Sequence, residues 1–254
     1  MLRKLFWLCV SPIILFILFN VYILGNIISW RALAPETTSF MRHQMRVLKT
    51  EDEEAVLQYK WVSYGDISIN LKRALIASED ARFTQHEGFD WAGIQYAMKK
   101  NAQTGKVSAG GSTISQQLAK NLFLWEGKSY IRKAEEALIT LMLEGNMSKE
   151  RIFALYLNVI EWGHGVYGAD AASEYHFDGK AKSLSAFQAA RLAAMVTNPR
   201  YYDDHPKDRR LSNKTNIILR RLGSAQLPDE AQEKAIEQTQ TKKSKRKKNR
   251  RKTN

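Results

Sequence analysis

Residues 129–158 read SYIRKAEEALITLMLEGNMSKERIFALYLN, and two serines punctuate them. Ser129 opens a helix whose apolar positions Ile131, Ala134, Leu138 and Leu141 recur at the three- and four-residue spacing of one face. That stripe is its expected buried side. Ser148 opens a second helix carrying Ile152, Leu155, Tyr156 and Val159, with Gly163 as its stop. Two capped helices in succession, with no alternating apolar run between them, point to a helical core.

The pattern extends in both directions. Upstream, Thr113 and Gln116 form a capping box ahead of Leu118 and Leu122. Asp90 opens Trp91 to Asn101, closed by Gly105, and Asn70 opens a segment with Leu71, Ala74, Leu75 and Ser78 on one face. Downstream, Ser185 and Gln188 cap Phe187 to Thr197, and Pro199 stops that helix. Trp61 to Tyr64 is the one short stretch that reads as extended, and no hairpin is expected. The fold class is mainly α.

The two ends differ from this middle. Leu5 to Trp30 is 26 residues without a charge, which at about 1.5 Å per helical residue exceeds a hydrocarbon layer of about 30 Å. Residues 1–30 therefore read as a transmembrane anchor, with Arg3 and Lys4 favouring a cytoplasmic N-terminus. Ala32-Leu33-Ala34 resembles a signal cleavage site, but the apolar run is longer than a signal peptide needs. Residues 223–254 read as a basic tail, beginning with a short helix from Pro228 to Gln240 and ending in a solvated, disordered Lys/Arg block. Between them, 31–222 form one folded unit of 192 residues, ample for a single core.

Charge and cysteine content exclude several classes. The net charge is +13, but nine of the positive charges lie within 242–252, so the folded part is only mildly basic. On the outer side of a membrane that tail meets anionic lipid or cell-wall polymer rather than nucleic acid. Cys9 is the only cysteine of the 254 residues, which removes disulfides, cysteine chemistry and cysteine-based zinc sites. The five histidines include no i, i+4 pair, so no metal ligands are assigned.

Three segments concentrate polar chemistry. Glu79-Asp80-Ala81-Arg82-Phe83-Thr84-Gln85-His86 ends a helix, and consecutive helical residues diverge by about 100°. If Glu79 faces a cleft, it can act as a base while Asp80, held by Arg82 or His86, orients the loop. Ser108 to Lys120, SAGGSTISQQLAK, places two glycines and several hydroxyls before a helix N-terminus, a start that suits an anion. Its glycine spacing is not that of a nucleotide loop. Arg132, Lys133, Glu135 and Glu136 lie opposite the apolar stripe of their helix. Arg132 and Glu136 form either an ordinary surface pair or part of a diphosphate site, and spacing leaves both open.

In this order the three segments resemble the signature motifs of family 51 glycosyltransferases, the peptidoglycan glycosyltransferases that polymerise lipid II. The resemblance covers about residues 38–222 and includes KERIFALYLN at 149–158, EWGHGVYGADAA at 161–172 and Leu184 to Pro199. A transpeptidase half is absent: the only Ser-x-x-Lys is Ser244 to Lys247, in the tail. The resemblance implies a lysozyme-like helical domain with a smaller, mobile, membrane-proximal lobe between Phe83 and about Leu124. It implies that Glu79 is the general base and that Glu136, the second catalytic carboxylate, organises cations around the lipid diphosphate. Lys120, Lys128, Arg132 and Lys133 match the basic positions. Asp80, Phe83 and His86, with Gly111, Ser112, Thr113, Gln116 and Gln117 of the polar loop, match the remaining substrate-binding positions. Two positions depart from the family pattern: Ala154 and Gln188 stand where Glu is usual.

The same resemblance sets the wider expectations. The substrates are lipid II and a growing glycan chain, and a divalent cation, Mg or Mn, at the diphosphate is the only cofactor implied. The chain is expected to cross the inner membrane once, with its catalytic domain in the periplasm and cell-wall synthesis or division proteins as partners. A lytic muramidase of lysozyme-like fold is the alternative, and it would not need the cluster of cations.

Overall fold

A computed structural model describes residues 2–105, 110–127 and 129–232. Lys128, residues 106–109 of the glycine-containing loop, and residues 233–254, which include most of the expected 228–240 helix and the Lys/Arg block of the tail, lie outside the described residues. Helices dominate, and one of them, α1 (Leu2–Ser29), contains an apolar span over Val10–Ser29 that is long enough to cross a membrane. The outer flank of α1 is exposed along Ile13 to Phe19, whereas Ile23 and Ile27 join the protein core. Just beyond the helix, Trp30 stacks on Phe123 at 5.3 Å, and the Arg151 guanidinium donates to the Trp30 carbonyl at 2.7 Å.

The remaining elements follow as α2 (Ser39–Glu51), β1 (Gln58–Tyr59), α3 (Ile69–Glu79), α4 (Trp91–Thr104), α5 (Ile114–Phe123), α6 (Tyr130–Asn146) and α7 (Lys149–Val159). After them come β2 (Glu161–Gly163), β3 (Val166–Tyr167), α8 (Ala169–Phe177), α9 (Ala186–Met195), α10 (Pro199–Asp204) and α11 (Arg209–Arg221). Every residue from Ile152 to Val159 is buried, so α7 is apolar all round, the pattern of a central core helix. α5 and α6 pack on one side of it and α8 on another, while α3, α9 and α11 form the adjoining layer.

Most helix starts obey the local chemistry. Asp90, Thr113, Ser129, Ser148 and Ser185 are the N-caps of α4 to α7 and α9, and both capping boxes are complete. The cap of α3 is Ser68 rather than Asn70; its hydroxyl accepts from the Asn70 N–H at 3.2 Å. Pro199 opens α10 as well as lying past the end of α9, because a fixed φ suits a first helical turn. Gln188 closes its capping box despite replacing Glu, and Ala154 is buried in the core.

Three further expectations fail. A small sheet is present, in the order β1-β3-β2, with β1 parallel to β3 and β2 antiparallel to it. The extended piece is therefore Gln58–Tyr59, not 61–64, and Gly163 lies in β2 instead of ending α7. Strands of two or three residues have too little period to be seen in sequence. Gly168, which follows β3, holds φ at 84°, and a Cβ there would sit 2.6 Å from the Asn158 carbonyl, so only glycine fits this crossing. The packed unit also runs past residue 222. Ala225 and Leu227 are buried, and Glu230 pairs with Arg73 at 2.6 Å.

The third correction concerns α6. Its buried residues are Arg132, Glu136, Ile139, Thr140 and Leu143, while Ile131 is 79% and Leu141 is 55% exposed. The helix turns its charged face inward, and its expected core stripe faces outward on the helix that packs against α1.

Candidate active site

The last turn of α3 delivers Glu79 to a cavity of about 300 Å³ that it shares with Ser112, Gln116, Gln117, Lys120, Arg132, Lys133 and Glu136. The C-cap residue Asp80 leaves helical geometry, so its carboxylate turns the other way. It accepts from His86 Nε2 at 3.0 Å and from the backbone N–H of Ile114 at 3.0 Å, and is buried. Asp80 thus ties the loop after α3 to the start of α5. Arg82, the other partner considered for Asp80, pairs with Asp90 at 3.1 Å instead.

The Glu79 carboxylate is held from three sides. Ser78 Oγ donates to Oε1 at 2.9 Å, and Gln117 Nε2 donates to Oε2 at 3.1 Å. Lys214 Nζ, from α11, lies 3.8 Å from Oε1. Gln117 is itself oriented, because the phenol of Tyr156 donates to its Oε1 at 2.9 Å. Tyr156 is fully buried on α7, and burial pushes its pKa well above the ordinary value. The phenol is therefore a fixed donor that selects which end of the Gln117 amide meets the carboxylate.

Opposite Glu79 lies a compact cationic group. Arg132 Nη1 donates to Glu136 Oε2 at 2.8 Å, and Lys133 Nζ donates to Oε1 of the same carboxylate. Both Arg132 and Glu136 are buried, so this is no surface pair. Lys133 also reaches Ser112 Oγ at 3.4 Å, which links α6 to the polar loop. Lys120 stands over the Phe40 ring, 5.3 Å from its centroid, and burial lowers its pKa, against the opposing pull of Glu136. Three cations, Lys120, Arg132 and Lys133, against the one carboxylate of Glu136 give this cavity wall a net positive charge.

The other motif residues stand behind this wall. Phe83 is buried against Phe153 at 5.5 Å, with Lys149 Nζ 4.6 Å from its ring centroid, and His86 packs edge-on to it. Thr113 Oγ1 donates to the Gly88 carbonyl at 2.7 Å. Gly111 passes so close to Ile94 that a Cβ would meet its side chain at 3.3 Å. Asp80, Phe83, His86, Gly111 and Thr113 therefore shape and position the cavity without lining it. The cavity continues into a cleft of about 560 Å³, bordered by Phe40, Glu126, Glu161, Asn198 and Arg200. There Arg200 bridges Glu161 at 2.9 Å and Glu126 at 3.0 Å, and burial raises the Glu161 pKa.

Sequence reading missed Lys214, Thr197, Tyr156 as the orienting group for Gln117, and the Arg200 bridge. Lys214 carried a signal: with Leu211, Thr215 and Ile218 it falls on the three- and four-residue spacing of the buried face of α11.

A mainly helical enzyme domain carrying an apolar span long enough to cross a membrane, with a carboxylate and three cations lining one cavity, is the class of protein that the fold and site define. A model of the family described as Transglycosylase matches residues 44–223, and the chain belongs to that family. It is similar to the biosynthetic peptidoglycan transglycosylase of Neisseria meningitidis serogroup C, 59% identical over 229 residues, 90% of this chain and 98% of that protein. The protein of that name from Chromobacterium violaceum is 58% identical over 228 residues, 90% of this chain and all of its own length. A third, from Neisseria gonorrhoeae, is 57% identical over 229 residues.

Proposed function

We propose that this transglycosylase is a peptidoglycan glycosyltransferase that polymerises lipid II, with Glu79 as base and the cavity cations as the diphosphate site. The observation that carries the reading is the pairing within one cavity: a hydrogen-bonded carboxylate on one side, and Lys120, Arg132 and Lys133 on the other. The acceptor sugar's 4-hydroxyl oxygen attacks the anomeric carbon of the donor chain, and the bond from that carbon to the lipid diphosphate breaks. The hydroxyl proton passes to the Glu79 carboxylate, and the leaving diphosphate carries the bonding pair into the cationic pocket. Attack from the face opposite the leaving group turns an α linkage into β. Preorganised cations stabilise the departing charge, so no strong acid is needed at the leaving oxygen.

The donor set does not fit a resident divalent cation. Among the described residues no group of three or more His, Cys, Asp or Glu side chains is placed to hold a metal ion. Both oxygens of Glu136 are engaged by Arg132 and Lys133. A muramidase would require an acid to protonate a sugar leaving group, and Glu136, paired with two cations, is poorly placed to be one.

The membrane supplies the substrate. Arg3 and Lys4 before the span support a cytoplasmic N-terminus, which would put the domain on the periplasmic side of the inner membrane. Exposed Trp91, Tyr96 and Met98 on α4, with Tyr130, Ile131 and Leu141 on α6, offer apolar faces to the bilayer surface. A lipid-linked substrate then meets a tethered site at high effective concentration.

The full chain in detergent, given lipid II, is expected to make long glycan strands. Glu79→Gln keeps the hydrogen-bonding shape, removes the base, and should lower the rate by about 100-fold or more. Wild-type polymerisation by that variant would remove Glu79 as base. Release of soluble fragments from sacculi with lipid II untouched would favour the muramidase.

A further inference from the structure

Among the described residues, Lys214 is the one group at the base that α11 contributes. It projects from α11, which lies on α9 and α3. Its Nζ donates to Thr197 Oγ1 at 3.2 Å and stands 3.8 Å from Glu79 Oε1. The side chains of Lys214 and Glu79 are 29% and 10% exposed, so the pair is largely shielded from water. Burial lowers the Lys214 pKa while Glu79 opposes that shift. A lysine on the buried stripe of a helix costs desolvation that an apolar residue would avoid, and its reach ends at the carboxylate.

The two carboxylate oxygens are unequally occupied. Among the described residues, Oε1 faces the Ser78 hydroxyl and the Lys214 ammonium, whereas Oε2 receives the Gln117 amide alone. A carboxylate oxygen accepts about two hydrogen bonds, so Oε2 keeps a lone pair. We propose that Lys214 is a positioning residue of the transfer: with Ser78 it pins Oε1 and so presents Oε2 to the acceptor hydroxyl. Gln117, locked by Tyr156, sets the rotation of the carboxylate from the opposite side. The acceptor proton then lands on Oε2, and the Lys214 ammonium leaves the pair electrically balanced before it does. This rests on the reading of Glu79 as base.

The test uses the full chain in detergent with lipid II, measuring kcat, KM and melting temperature for wild type, K214M, K214R and T197V. Lys214→Met is expected to lower kcat by about tenfold or more, the scale of a misoriented base, with KM and melting temperature close to wild type. Lys214→Arg, which keeps a cation of similar reach, should recover most of the loss. Thr197→Val, which frees the ammonium from its second partner, should lower kcat several-fold and keeps the idea testable if K214M does not fold. Wild-type kcat in K214M overturns the proposal. So does a rise in KM at unchanged kcat, or a loss that follows melting temperature and is equal in K214M and K214R. Glu79→Gln in the same assay separates the two readings: if it stays active, the base assignment fails whatever Lys214 does.

Discussion

Lys120 sits at the most exacting point of the cavity, between an aromatic ring and a carboxylate that already holds two cations. Its charge is needed when the diphosphate departs, yet burial is the largest influence on it and lowers its pKa. The ammonium therefore gives up its proton at a lower pH than a solvated lysine, and catalysis should decline on the alkaline side as it does. An arginine stays charged throughout that range. Lys120→Arg is thus expected to move the alkaline limb of the pH–rate profile to higher pH, whatever its effect on the maximum rate. A limb that stays in place assigns it to another group. Asp80 shows the opposite use of a carboxylate: next to the base in sequence, it serves His86 and the Ile114 amide and never meets the cavity.

Among the elements, the β2–β3 hairpin is held by side chains from two helices. Asp203 on α10 accepts from the His164 N–H at 2.9 Å, and His176 on α8 contacts the Trp162 carbonyl through Nε2 at 2.9 Å. A neutral ring donates in that contact. Burial lowers the His176 pKa below its ordinary 6.5, with Asp203 partly opposing. The unfolded chain then binds a proton that the folded chain resists, so stability rises with pH across the window. The contribution is complete above about pH 6.5 and is lost as pH falls toward the folded-state pKa. Urea midpoints measured between pH 7 and pH 5 should fall, and His176→Gln, which keeps a donor but does not titrate, should flatten that slope. A slope unchanged in the variant would place the acid sensitivity elsewhere. The α6 helix makes a related point about faces: its three- and four-residue spacing is visible in sequence, but not which stripe meets protein.

Across the whole protein, anchor and catalytic domain are one packed object. Ile23 and Ile27 of the span are core residues, and Arg151 clasps the Trp30 and Leu33 carbonyls just beyond it. In the orientation proposed above, this packing would hold the cavity at a set height over the bilayer, with the exposed apolar residues of α4 and α6 available to its surface. Burying a large apolar side chain contributes about 1.5–3 kcal/mol, so two such residues can bias the domain toward the lipid surface. The double variant Trp91→Ser, Ile131→Ser in the full chain is expected to lose polymerisation several-fold in liposomes and to keep it in detergent, where no surface must be met. Equal activity in both settings would show that α1 alone sets the geometry.

Much was legible in the chain before any coordinates. Caps such as Asp90, Thr113, Ser129, Ser148 and Ser185 act within one turn, the uncharged run of Leu5 to Trp30 needs only length, and the polar motifs are contiguous; short-range chemistry writes all of these locally. What folding alone settled are relations between distant segments. The inward turn of Arg132 and Glu136 depends on whether the competing stripe of Ile131 and Leu141 finds core or bilayer, and periodicity is the same for both. Lys214 is one more lysine in a stretch rich in Lys and Arg until α11 lays it beside Glu79. The three-stranded sheet pairs residues about a hundred positions apart, Gln58 with Val166 and Tyr59 with Tyr167, and no window of sequence contains that event.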